Sequence, residues 1–161
     1  MIALASDHAG FSYKEKIKGI LNEMQLPFTD FGTHSNESTD YPDYGHAASV
    51  AISKGECDRG ILVCGTGIGM SIVANKHAGV RAAVCETIEA AELSRKHNDA
   101  NVLCTEQFLH PHACKVLDNV YIFAAAVIPF AGISLRILVR HDASRGFKDC
   151  LTDEILRCDQ F

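Results

Sequence analysis

Along this chain, short apolar runs alternate with longer stretches of helical period. "IALAS" precedes "GFSYKEKIKGILNEM", "PFTDFG" precedes "DYGHAASVAISKG", and "RGILVCG" precedes "GMSIVANKHAG". "VRAAVCE" then precedes "TIEAAELSRKHN", and "ANVLC" precedes "HPHACKVLDNV". A short apolar run bounded by turn formers reads as a strand buried on both faces, and the amphipathic stretch after it reads as a crossover helix. The alternation predicts an α/β architecture: a three-layer, Rossmann-like fold with a five-stranded parallel sheet and helices on both faces. In the first helix Phe11, Ile17, Ile20, Leu21 and Met24 recur at near-helical spacing, and Lys14, Glu15, Lys16 and Lys18 are assigned to the wet side. Ligands of such sheets bind at the carboxyl ends of the strands. Asp7 and His8 follow the first strand and Cys64 follows the third; His97 and Asn98, just before the fifth, are assigned to the same edge.

Beyond Asn119 the rhythm stops. Val120 to Leu135 is sixteen residues without a formal charge, followed by Arg136, Arg140 and Arg145. A spanning helix needs ~20 predominantly apolar residues, and Pro129 would interrupt this one. The basic flank resembles a positive-inside signal, but a buried helix and strand, or a subunit contact, is the preferred reading. The expected organisation is a core over residues 1–119 and an atypical C-terminal segment over 120–161 that packs on the core or at a subunit interface.

Composition narrows the class of function. A chain of 161 residues with 47% apolar content is long enough for one domain with a proper core. The net charge of −5 comes from scattered carboxylates, and no Lys/Arg stripe could track a phosphodiester backbone, so nucleic acid is not an expected partner. The seven cysteines include no CxxC pair, which argues against a zinc or redox motif and for a reducing compartment. No basic, apolar leader opens the sequence, and a cytoplasmic location is expected. "HPH" at 110–112 lacks a third ligand at metal-binding spacing and reads as a turn opening a helix.

The segment with most chemistry is "CGTGIGMS", residues 64–71. Gly65, Gly67 and Gly69 allow a tight turn with converging N–H groups, and the following helix adds the positive end of its dipole, so the loop can hold an anion. It is not a GxxxxGK[ST] phosphate loop, and Met70 stands where the third glycine of GxGxxG would be. Read without its neighbours, it is also an ordinary glycine turn from strand to helix. Cys64 changes the balance, because amide donors favour a thiolate that can act as nucleophile or proton acceptor. Thr66 supplies a hydroxyl that both donates and accepts. His8 and His97 are candidate titrating groups, Asp7 could orient His8 or a substrate hydroxyl, and Tyr41 in "TDYPDYG" is either a pocket residue or a packing residue.

With these residues in view, the chain resembles the type B ribose-5-phosphate isomerases, which belong with the galactose-6-phosphate isomerase subunits. The resemblance runs through "ASDHAG" (5–10), "DFGTHSNESTDYPDY" (30–44), "CDRGILVCGTGIGMSIVANK" (57–76), "VRAAVC" (80–85) and "SRKHNDANVLC" (94–104), about two thirds of the chain. It implies that Cys64 removes the sugar C2 proton and that Thr66 helps move a proton between the oxygens. It also implies that the amides of Gly65, Thr66, Gly67, Ile68 and Gly69 hold the enediolate and that His97 opens the furanose ring. Asp7, His8, Tyr41 and Asn98 would contact substrate, with no metal and no organic cofactor. The family's site lies between two subunits, which implies a homodimer or a dimer of dimers. The C-terminal part departs from the pattern. Gln107 stands where the family has the arginine after its fifth strand, and nothing after Asn119 reads as the family's "GGRH" ending with its phosphate-binding arginines. Arg136, Arg140 and Arg145 are substitutes by charge, although none aligns with a family position.

The expected activity is interconversion of ribose 5-phosphate and ribulose 5-phosphate through an enediolate, a step of pentose phosphate metabolism. Three other readings stand beside it. One is isomerisation of a six-carbon phosphate such as allose or galactose 6-phosphate. Another is a nucleotide-binding module in which "GTGIG" meets a pyrophosphate and Glu86 a ribose. The third is a catalytically weak relative whose C-terminal segment serves a membrane or a partner protein.

Overall fold

The computed structural model describes residues 1–106. The order of elements is β1 (Ile2–Ser6), α1 (Phe11–Glu23), β2 (Phe28–Asp30), α2 (Tyr41–Ser53), β3 (Arg59–Cys64), α3 (Ile68–Ala74), β4 (Ala82–Val84), α4 (Ile88–Asn98) and β5 (Val102–Glu106). The five strands form one parallel sheet in the order β2-β1-β3-β5-β4. This is the expected three-layer α/β fold. The boundary placed at residue 119 and the apolar stretch Val120 to Leu135 lie outside the described residues, as do "HPH", Gln107 and the three distal arginines. Among the described residues no helix is long and apolar enough to cross a membrane.

Strand alternation assigns the two faces. Ile2, Leu4, Ile61, Val63 and Leu103 pack with Tyr13, Ile17 and Leu21 of α1 and Ala91 of α4. Ala3, Ala5, Leu62, Cys64, Val102 and Cys104 pack with Ala48, Ala51 and Ile52 of α2 and Met70 and Ala74 of α3. A residue at i and one at i+1 of a strand therefore serve different layers, which explains why these strands are apolar throughout. The small residues Ala3, Ala5, Ala48 and Ala51 let α2 lie close to β1. α2 and α3 are also joined at the surface, where the His46 and His77 rings meet at 2.9 Å between Nδ1 and Nε2. His77 Nδ1 lies 3.1 and 3.3 Å from the carbonyls of Val73 and Ala74, so it carries a proton and leaves Nε2 to accept from His46 in the neutral pair.

The assignment of Lys14 to the wet side of α1 is overturned. Its side chain has no exposure, and it is among the largest fully buried side chains in the protein. Position 14 lies on the same helical stripe as Ile17 and Leu21, three and seven residues on, so the helix carries it inward whatever its charge. The ammonium is accommodated because it donates to Asp30 at 2.5 Å and Glu15 at 3.0 Å.

The order of connections places the ligand edge. From β1 the sheet extends to β2 on one side and to β3 on the other, so the crossovers α1 and α2 leave on opposite faces. In open parallel sheets the ligand crevice lies outside the carboxyl ends of the strands where the order reverses, here β1 and β3.

Candidate active site

Two chain segments flank that crevice. After β1, the backbone N–H of Asp7 donates to Val63 O at 3.2 Å, which holds the two strand ends together. The buried Asp7 carboxylate accepts from Gly10 N–H at 2.9 Å and so shapes the turn into α1. His8 stands next, half-buried, with Nδ1 facing residue 39. Thr39 places its N–H 3.1 Å and its carbonyl 3.0 Å from that nitrogen. Nδ1 can accept from the first or donate to the second, so Thr39 holds the ring in either tautomer.

After β3 comes the glycine loop. Cys64 ends the strand with its sulfur buried against the α2 and α3 layer, and Gly67 N–H donates to Sγ at 3.1 Å. α3 is seven residues long, so the group acting on the sulfur is this amide rather than the dipole of an extended helix. Gly67 has φ +73°, and a Cβ there would lie 3.1 Å from the backbone of Thr105 on β5. A side chain at this position would push the loop off the sheet. At Gly69 a Cβ would meet the Tyr41 ring at 2.8 Å, so the half-exposed tyrosine lies directly over the loop. At Gly65 a Cβ would meet no described residue within 4 Å. The exposed Thr66 hydroxyl accepts from Ile68 N–H at 3.3 Å, which leaves its own proton to donate outward. Ile68, Gly69 and Met70 open α3, where amides have no intrahelical acceptor; with Ile68 turned to Thr66, those of Gly69 and Met70 face outward from the helix start.

Burial pushes the Cys57 and Cys85 thiols up, and burial together with Cys64 and Cys85 nearby pushes Cys104 well up. These three are held protonated in the core. Among the described residues no cluster of His, Cys, Asp or Glu could hold a metal ion.

Asp7, His8, Tyr41, Cys64, Gly65, Thr66, Gly67, Ile68 and Gly69 are thus gathered at one edge. His97 and Asn98 are not, and the sequence-based placement is corrected. α4 runs antiparallel to the strands, so its last residues lie at the amino edge of the sheet, where Gly60 N–H donates to Asn101 O. From Gly60 to Cys64 the strand covers about 13 Å. Both residues are solvent-exposed there. Met70, where a nucleotide-binding loop would have glycine, is fully buried and fills the space between α3 and the sheet.

Two residues were missed. Thr39 orients His8, yet a threonine in a polar loop gives no signal until the fold brings it across from β1. Glu106 stands in register with Cys64 and bridges Thr66. Counting the strand pairing one residue further would have placed it there.

Comparison with known proteins fits this architecture. Residues 2–123 match the family described as Ribose/Galactose Isomerase. The chain is 52% identical over 102 residues to ribose-5-phosphate isomerase B of Escherichia coli, covering 63% of this chain and 68% of that one. A ribose-5-phosphate isomerase B structure from Clostridium thermocellum is 46% identical with a TM-score of 0.73, covering 76% of this chain and 82% of the other. One from Thermotoga maritima is 44% identical with a TM-score of 0.73, covering 86% and 94%. With a thiol and a glycine loop at the β1/β3 crevice and a match over most of its length, the chain belongs to the ribose/galactose isomerase family.

Proposed function

We propose that the protein is a sugar-phosphate isomerase that interconverts ribose 5-phosphate and ribulose 5-phosphate through an enediolate. The observation that carries this reading is the pairing of Cys64 Sγ with Gly67 N–H at 3.1 Å, beside Gly65, whose Cβ direction meets no described residue within 4 Å. The sulfur, as thiolate, takes the proton from C2 of the open-chain aldose. The C–H electrons form the C1–C2 double bond, and the carbonyl pair moves onto O1. Outward amides of the Gly65 to Gly69 loop stabilise that oxyanion. The Thr66 hydroxyl relays the O2 proton toward O1, and the thiol returns its proton to C1, giving the ketose with all atoms conserved. Asp7, His8 and Tyr41 line the same crevice and orient the sugar.

His97 and Asn98 take part from a second copy of the chain. Their place at the amino edge leaves them unable to reach Cys64 of their own sheet, so the proposed active unit is a homodimer. Ring opening by His97 is then a contribution across the interface.

The test is turnover of ribose 5-phosphate, with ketose formation as the readout. Cys64→Ala is expected to lose at least ~10²-fold in kcat, the scale of a positioned acid or base, while keeping its melting temperature. Substantial activity in that variant would remove Cys64 as the base. Mixing His97→Ala and Cys64→Ala chains should restore up to one active site in four of a mixed dimer population. No restoration would remove the shared site.

A further inference from the structure

Lys14 is a buried charged group that the proposed reaction does not use. Lys14 Nζ is buried beside the Phe11 ring, 5.6 Å from its centroid, and donates to Asp30 Oδ2 at 2.5 Å. A buried ion pair contributes little net stability compared with apolar residues of the same size, so packing alone does not account for this one. What it does account for is a chain of contacts. Asp30 is the last residue of β2, and its second oxygen accepts from Gly32 N–H at 2.9 Å, fixing the turn that leaves the strand. That turn is clipped to the end of β1: Ser6 N–H donates to Gly32 O at 2.6 Å and Thr33 N–H to Ser6 O at 2.7 Å. Asp7 and His8 follow Ser6 immediately. The segment leaving Thr33 returns at Thr39, whose backbone meets His8 Nδ1.

We infer that Lys14 is a positioning residue for His8: through Asp30 it anchors the 30–39 segment at its start, so that Thr39 meets the imidazole at its end. The inference rests on the reading of His8 as a substrate contact. The charged hydrogen bond supplies direction as well as strength. Lys18, 3.1 Å from Asp30 and half-buried, shares the carboxylate but approaches from the surface side of α1.

The test uses the double variant Lys14→Met with Asp30→Asn. It removes both charges and keeps an oxygen to accept from Gly32 N–H. The expected result is a folded protein whose kcat/KM for ribose 5-phosphate falls ~10- to 100-fold, the cost of misplacing a group by about 1 Å. The loss should lie mostly in KM, as fits a binding contact made in both ground and transition states. In a His8→Ala background the same pair of substitutions should add less than about two-fold, because coupled residues are not additive. Independently of turnover, the imidazole nitrogen resonances of His8 in the ligand-free protein should move away from those of a hydrogen-bonded Nδ1. Unchanged His8 resonances, or a full additive loss in the His8→Ala background, would overturn the inference. If wild-type protein does not turn over ribose 5-phosphate, the functional reading fails and the resonances alone decide the anchor. Should the double variant not fold, Asp30→Asn alone, in which Lys14 keeps Glu15, gives the same readout.

Discussion

At the amino edge of the sheet, Asn101 uses both ends of its side chain, accepting from Arg81 N–H and donating to Gly79 O, each at 2.8 Å. Arg81 and Arg95 then close on Asp99 at 2.5 and 3.0 Å. The carboxyl edge is built differently. It gathers the Asp7 carboxylate, the His8 imidazole, the Cys64 thiol, the Thr66 hydroxyl and the amides of the glycine loop, and the buried hydroxyls of Ser6, Thr39 and Thr105 have no hydrogen-bond partner among the described residues. No described residue lies within 4 Å of a Cβ placed on Gly65. At the amino edge side chains tie the strands of one chain together, although the buried Arg59 and Arg95 Nε atoms have no hydrogen-bond partner among the described residues; at the carboxyl edge loop amides and a thiol come together at the strand ends. Stability and chemistry are thereby separated by the length of a short strand, and substitutions at the two edges should separate them too.

The largest effect is expected from Gly67→Ala, where the two properties meet. A left-handed conformation costs a residue with a Cβ ~1–2 kcal/mol, and the added atom would press on the Thr105 backbone at 3.1 Å. The variant should lose about 2–4 kcal/mol in urea denaturation and, as the loop lifts its amide from Cys64, ~10²-fold in kcat. A stable, active Gly67→Ala protein would mean that this amide does not serve the sulfur.

Asn101→Ala comes next and tests the opposite edge. The substitution removes the partner of a part-buried amide of Arg81 and of a carbonyl of Gly79, at about 1 kcal/mol. Thermal unfolding should show that loss, while kcat of the folded enzyme stays within about two-fold. A large fall in kcat without a change in melting temperature would contradict the separation of the edges.

How much of this was legible beforehand differs by region. The strand and helix alternation carried the parallel sheet, and with it the grouping of Asp7, His8 and Cys64, because those residues lie at the ends of strongly apolar runs. Two placements failed for identifiable reasons. Lys14 was judged by its charge, although its spacing to Ile17 and Leu21 already put it on the buried stripe. His97 and Asn98 were judged by nearness to a strand, although a residue before a parallel strand must lie at the edge opposite a residue after one. The Thr39 contact was not legible at all: it depends on a 31-residue separation closed by the β1 and β2 pairing.

Acid separates the regions in a further way. Burial works against ionised Asp30, but hydrogen bonds from Lys14, Gly32 and Lys18 outweigh it and hold the carboxyl below its usual range. A carboxylate depressed in the fold stabilises it above its unfolded pKa and loses that contribution as pH falls through the folded value, here below about pH 4. Asp99 is also held low, by Arg95 first and then Arg81. It is largely exposed, so solvent already screens its pairs. Asp30→Asn with Lys14→Met should therefore flatten the stability profile between pH 5 and pH 3, whereas Asp99→Asn should leave its shape nearly unchanged. The reverse pattern would place the acid-sensitive pair at the amino edge.

The smallest effect on stability, and the sharpest test of the comparison, belongs to Gly65→Ala. Among the described residues nothing lies within 4 Å of the added methyl, and Gly65 is not among the glycines held at positive φ. The fold has no evident need for glycine here, and replacing it should change stability by no more than about 0.5 kcal/mol. In the proposed mechanism a bound sugar approaches the backbone at this point to reach the amides beside Cys64, and a methyl group would hold it away by roughly 1 Å, a displacement that can cost ~10²-fold in rate. The expected outcome is a protein with unchanged melting temperature and a much reduced kcat/KM for ribose 5-phosphate. Gly67→Ala and Gly65→Ala, two residues apart, would then differ because one glycine serves the chain's own packing and the other serves the substrate. Equal kcat/KM in wild type and Gly65→Ala would show that the substrate does not pass over this loop.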